Sequence, residues 1–170
     1  MDEISRPAFV TSVLSALLSE LPATVQLPIS AMKEPSRKTA WDVDRFIGLP
    51  YDARHMDCAD LAILIQRELF GREVLLAGKR PRPLRDDAQA QAIRAYTAQL
   101  ADPVINPVDG DIVLMREIGA AQAGHIGTYF FLNFTPYVLH TTALLGASVL
   151  HRVQDLSGTG LTLEGFYRWK

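Results

Sequence analysis

The order of apolar and polar positions divides the chain into a helical part and a strand part. Phe9, Val10, Val13, Leu14, Leu17, Leu18 and Leu21 recur at helical spacing, and Pro22 stops the pattern, which predicts an amphipathic helix from about Arg6 to Leu21. Its apolar stripe must pack either on the core or on a partner. Residues 22–39 hold Pro22, Pro28 and Pro35 and predict an extended connection. Trp41 to Ile47 predicts a short helix closed by Gly48-Leu49-Pro50. From Cys58, Leu61, Leu64, Ile65 and Leu69 share one helical face and Gly71 stands as the stop, with Asp57 placed to cap the helix and Asp60 three residues on. A basic, proline-broken loop spans residues 78–87, and Asp86 to Leu100 reads as a helix rich in Ala and Gln.

After Pro107 the period changes. Asp111 to Met115, His125 to Leu132, Tyr137 to Thr142 and Ala147 to Val153 are short runs with strand residues. Asn133 to Pro136 reads as one hairpin loop and Leu145-Gly146 as the tip of the next. Helices first and a small antiparallel sheet afterwards make an α+β fold. The chain is expected to comprise an N-terminal helix and linker over residues 1–40 and one domain over residues 41–170.

Composition narrows the function classes. A length of 170 residues fits one domain with a short extension, and 48% hydrophobic residues supply a core. The net charge of -2 disfavours binding to nucleic acid by phosphate neutralisation. The single cysteine excludes an intramolecular disulfide, and a free thiol suits a reducing compartment or a site that uses it. One cysteine and four scattered histidines, without His-Glu-x-x-His, give no metal pattern, and no cofactor is expected. No apolar run is long enough to span a bilayer, and the acidic start Met1-Asp2-Glu3 is unlike a secretory signal. The protein is therefore expected to be made in the cytoplasm and carried to any outside substrate by other means. The loop Lys79-Arg80-Pro81-Arg82 reads as solvated, with contact to an acidic polymer or a neighbouring subunit as the alternative.

The candidate chemistry gathers around Cys58. At the first turn of a helix, partial positive charge favours thiolate, the nucleophile of acyl-transfer cysteine enzymes. His125 begins a strand, and alternation sets His125, Gly127 and Tyr129 on one face and Ile126, Thr128 and Phe130 on the other. Gly127 is expected to leave open space beside the ring for a substrate. If the next strand pairs as a hairpin, His140 becomes a same-face neighbour able to orient a base. His151 is a rival for that third position, and His55 is a candidate for the cleft rim.

Gly48-Leu49-Pro50-Tyr51, Asp57-Cys58, Gly110-Asp111-Ile112-Val113-Leu114, His125-Ile126-Gly127-Thr128-Tyr129 and Val138-Leu139-His140 occur in the order seen in the NlpC-type cell-wall cysteine peptidases. The resemblance covers about Trp41 to Val153. It implies a papain-like fold and cleavage of the peptide stems of peptidoglycan, with Cys58 as nucleophile, His125 as general base and His140 as the orienting residue. It also implies that Tyr51 lines the site near the oxyanion position, where the Cys58 N–H is a further donor. Gly110-Asp111 is expected to be structural. The chain departs from the family where Ala59-Asp60 replace the common Ser-Gly, and where the stretch between Tyr51 and Cys58 lacks paired glycines. A compact domain of this kind without a signal peptide resembles the peptidases of bacteriophage tail tips, which implies tail-tip proteins as partners and incorporation in a virion tail. Two other readings stand beside it: a structural tail-tip adaptor with an occluded site, and an antibacterial amidase effector passed between bacteria.

Overall fold

The computed structural model describes residues 40–75 and 86–170, all within a unit that spans Arg37–Lys170. The expected helix at Arg6 to Leu21, the connection over residues 22–39 and the basic stretch Lys79 to Arg82 lie outside the described residues. Among the described residues three helices precede the sheet: α1 (Ala40–Asp44), α2 (Cys58–Phe70) and α3 (Asp86–Leu100). The helix read from Asp86 to Leu100 is α3, with those bounds.

α2 forms because both its ends are satisfied. Asp57 accepts from the N–H groups of Ala59 and Asp60 at 2.9 Å, and Asp60 in return accepts from the Asp57 N–H at 3.2 Å, a complete capping box. Gly71 takes the left-handed conformation (φ 63°) that a side chain would strain, and its N–H returns to the Arg67 carbonyl. The face between these caps carries Leu61 and Ile65 into a core with Val43, Phe46, Phe130, Leu132 and Leu139. Full burial of such a side chain contributes roughly 1.5–3 kcal/mol.

The sheet has six antiparallel strands: β1 (Ala101–Val104), β2 (Ile112–Glu117), β3 (His125–Leu132), β4 (Thr135–Thr141), β5 (Ser148–Arg152) and β6 (Leu161–Trp169), in the order β1-β6-β2-β3-β4-β5. Four of these were read from the sequence. β1 carries Pro103, which a ladder tolerates only at an edge, and β1 is an edge strand. β6 pairs with β1 on one side and β2 on the other. The β3–β4 loop is tighter than read: Asn133 and Phe134 alone turn the chain with φ 48° and 61°, and Thr135 and Pro136 already pair with Leu132 and Phe131.

Register assigns the two faces. Ile112, Thr128, Leu139 and Leu150 form one row across β2 to β5, on the side covered by α2 and α3. Val113, Met115, Tyr129 and Val138 lie on the other side, closed by Leu156 from a 3-10 helix (Val153–Thr159) that leads from β5 to β6. Buried Asp111 anchors the turn before β2. It accepts from the Val108 N–H at 2.8 Å and from the Arg168 guanidinium of β6 at 2.9 Å. Among the described residues, no helix is long and apolar enough to cross a membrane.

Candidate active site

The segment leading into α2 is fixed by Ser148. Its hydroxyl donates to the Phe46 carbonyl at 2.6 Å and accepts from the Leu49 N–H at 2.8 Å. Across this seam the Gly48 N–H donates to the Ser148 carbonyl at 2.8 Å and the Ser148 N–H to the Leu49 carbonyl at 2.9 Å, and the Tyr51 N–H reaches the Gly146 carbonyl at 2.9 Å. Tyr51 is thereby held against the β4–β5 turn. Burial, then the nearby Cys58, Asp57 and Asp52, push its phenol above the usual tyrosine range, so it remains an O–H donor at neutral pH.

Cys58 is the first residue of α2 and is 4% exposed. His125 is the first residue of β3 and is 5% exposed. Both line one cleft of about 230 Å³, together with Tyr51, Gln89, Glu117 and Thr141. The cleft lies at the end of the sheet, where the start of the helix and the start of the strand converge. This placement matters because Cys58 packs with Ile112 and Ile126 on the helix-covered face, whereas alternation assigns His125 to the other. Only at the strand terminus can a side chain of that face serve a cleft shared with α2.

Across the sheet from His125, β4 brings His140. His125 Nε2 and His140 Nδ1 are 2.9 Å apart with the rings nearly perpendicular, at 80°. His140 Nε2 is in turn 2.9 Å from Nδ1 of His151 on β5. The three histidines share one face and run in a line. His140, not its rival His151, contacts His125, and His151 occupies a fourth position behind it. Among the described residues no group of three or more histidine, cysteine or acidic side chains is arranged around a common metal point.

Burial lowers the pKa of His125 from the ordinary 6.5 to about 4. Burial, reinforced by its two histidine neighbours, takes His140 to about 3. Both rings are neutral near pH 7. The helix terminus favours a negative sulfur, and burial disfavours a positive imidazole. One nitrogen of the 2.9 Å His125–His140 contact must donate and the other accept, so the tautomers of the two neutral rings are coupled.

Two readings made from the sequence are corrected. His55 does not line the cleft: its side chain is 76% exposed and its Nδ1 bonds Asp52 at 3.0 Å within the Asp52–Met56 turn. The space at Gly127 is not an entrance for substrate. A Cβ there would lie 2.4 Å from Val138 Cγ2, 2.9 Å from the Leu139 carbonyl oxygen and 3.0 Å from His140 Cβ. Glycine instead lets β4 approach β3 closely enough to set His140 on His125. Gly127→Ala is expected to destabilise the fold by about 1–3 kcal/mol through overpacking. Urea unfolding would measure this, and a midpoint equal to the parent's would show that β4 can yield without loss.

The sequence reading missed the walls that α3 and the β2–β3 connection supply: Gln89, Glu117, Gln122 and Gly124. Nothing in their local spacing marks them, since chain reversal brings them to Cys58. It also missed Thr141, which lines the cleft and whose Oγ1 is buried without a hydrogen-bond partner. An apolar slot between α2, α3 and β2, beside Ile63, Ile93 and Trp169, holds only about 30 Å³, roughly one water's worth of room. No protein-family model matches this chain, and no curated protein matches it.

Proposed function

We propose that the chain is a papain-like cysteine peptidase of the NlpC type that cleaves peptide stems of peptidoglycan, with Cys58 as nucleophile, His125 as general base and His140 as the residue that orients it. The observation that carries the reading is the shared cleft of Cys58 and His125, with Nε2 of His125 2.9 Å from Nδ1 of His140. Acyl transfer needs a sulfur nucleophile close to an acceptor nitrogen, and the shared cleft supports that reading.

In the proposed reaction, His125 takes the Cys58 proton as the sulfur attacks the peptide carbonyl carbon. The Cys58 N–H and the Tyr51 hydroxyl donate to the oxyanion. His125 then returns the proton to the leaving amine, and water, activated by the same ring, hydrolyses the thioester. The resemblance to tail-tip peptidases supports incorporation in a phage tail as the means of reaching the envelope.

One observation favours the adaptor reading. Both reacting groups are almost fully buried, which is the state expected of an occluded site. Incubation with purified peptidoglycan followed by mass analysis separates the two. Fragments released by the parent protein and absent with Cys58→Ala support the peptidase. No release by the parent, together with a thiol inert to iodoacetamide, supports the adaptor.

A further inference from the structure

Taking Cys58 and His125 as nucleophile and base, we propose that His151 is the outer member of a proton relay that runs from the cleft through His140 to the surface. Two 2.9 Å contacts join the three rings end to end, each from the Nε2 of one to the Nδ1 of the next. That repeated polarity couples the tautomers, so that assigning one ring assigns the other two. If His125 Nδ1 is to accept from the thiol, its Nε2 carries hydrogen and donates to His140 Nδ1. His140 Nε2 must then carry hydrogen and donate to His151 Nδ1, leaving the His151 Nε2–H for solvent.

The relay places positive charge where it is least costly. His125 and His140 are buried, whereas His151 is only partly buried. The groups facing His151 are the His140 ring on β4 and the Asp155 carboxylate on the 3-10 helix, whose charge favours the imidazolium and opposes the effect of burial. Arg152, the next residue of β5, alternates to the other face and bonds Tyr137.

The proton movements balance. The thiol gives its proton to His125 Nδ1, His125 passes its Nε2 hydrogen to His140 Nδ1, and His140 passes its Nε2 hydrogen to His151 Nδ1. The result is thiolate at Cys58 and imidazolium at His151, with both inner rings neutral. The reverse sequence returns a proton through His125 Nδ1 to the leaving amine. His151 touches no reacting atom and is a positioning and relay residue.

The test combines imidazole nitrogen NMR of the parent protein with the pH profile of iodoacetamide alkylation. The parent is expected to carry hydrogen on Nε2 of all three rings at pH 7.5. His151→Gln keeps an acceptor for His140 but cannot carry the proton, and it is expected to slow alkylation at neutral pH about tenfold, the size of effect typical for the outer partner of a functional histidine. Asp155→Asn is expected to shift the acid limb of the profile, which a purely structural role would leave in place. A His151→Gln profile that matches the parent overturns the relay alone, whereas a His140 that holds its hydrogen on Nδ1 forces hydrogen onto His125 Nδ1 and overturns the relay together with the His125 base. Alkylation unaffected by His125→Ala overturns the nucleophile–base assignment, and the relay with it.

Discussion

His125→Ala is expected to slow alkylation of Cys58 near neutral pH and to reduce release of peptidoglycan fragments by about two to four orders of magnitude, the usual share of a general base. The expectation rests on where the ring stands. His125 and Cys58 border the same cleft, and burial keeps the His125 ring neutral at pH 7. The helix terminus still favours a negative sulfur in the variant, so residual alkylation should remain. The measurement is a second-order labelling rate beside a mass-resolved digestion, with Cys58→Ala as the blank. Equal labelling rates in variant and parent would show that thiol and imidazole are not coupled, and the peptidase assignment would fall.

Acid should weaken the fold over a window set by the same histidines. Unfolded, His125 and His140 protonate near pH 6.5. Folded, they do so only near pH 4 and pH 3. Between these values the unfolded chain binds more protons, so stability is complete above about pH 6.5, falls as the pH drops, and levels off near the folded values. The displacement of His125 alone corresponds to about 3 kcal/mol when the window has been crossed. Ordinary carboxylates protonate near pH 4, so the loss between pH 6.5 and pH 5 isolates the histidines. Urea midpoints at pH 7.5, 6 and 5 would follow it, and the double variant His125→Leu/His140→Leu should flatten the profile. A double variant as steep as the parent would place the acid sensitivity elsewhere.

Much of this arrangement was legible in the chain because it is encoded locally. The cap and stop of α2 are side-chain and glycine signals within a few residues of the helix ends. The alternation around His125 assigns faces that the three buried clusters reproduce, and the spacing to His140 suits a hairpin. What stayed hidden depends on partners distant in sequence. β1 is four residues long and contains a proline, so its existence rests on pairing with β6. β6 itself mixes Thr162, Glu164 and Arg168 with apolar residues and interrupts its alternation at Gly165. Asn133-Phe134 escaped notice as a two-residue turn because an aromatic residue rarely takes positive φ. The role of Gly127 was misread for a related reason: the space beside a glycine belongs to whatever packs there, and only the register of β4 shows that it is His140.

The position of β6 has a consequence for biosynthesis. It follows every other described element in the chain, yet it lies in the interior of the sheet, between β1 and β2. While the ribosome is still producing residues 161–169, the helices and the β2–β5 meander, with Cys58 and all three relay histidines, have already been made. β2 must meanwhile present an unpaired edge, and β1 has no neighbour until its partner arrives. Two strand spacings, roughly 10 Å, have to stay open for that insertion. Such an edge is a template for pairing with other chains. The nascent protein is therefore most exposed to misassembly in the interval just before Trp169 is added, when its chemistry is already encoded and its sheet is not yet closed.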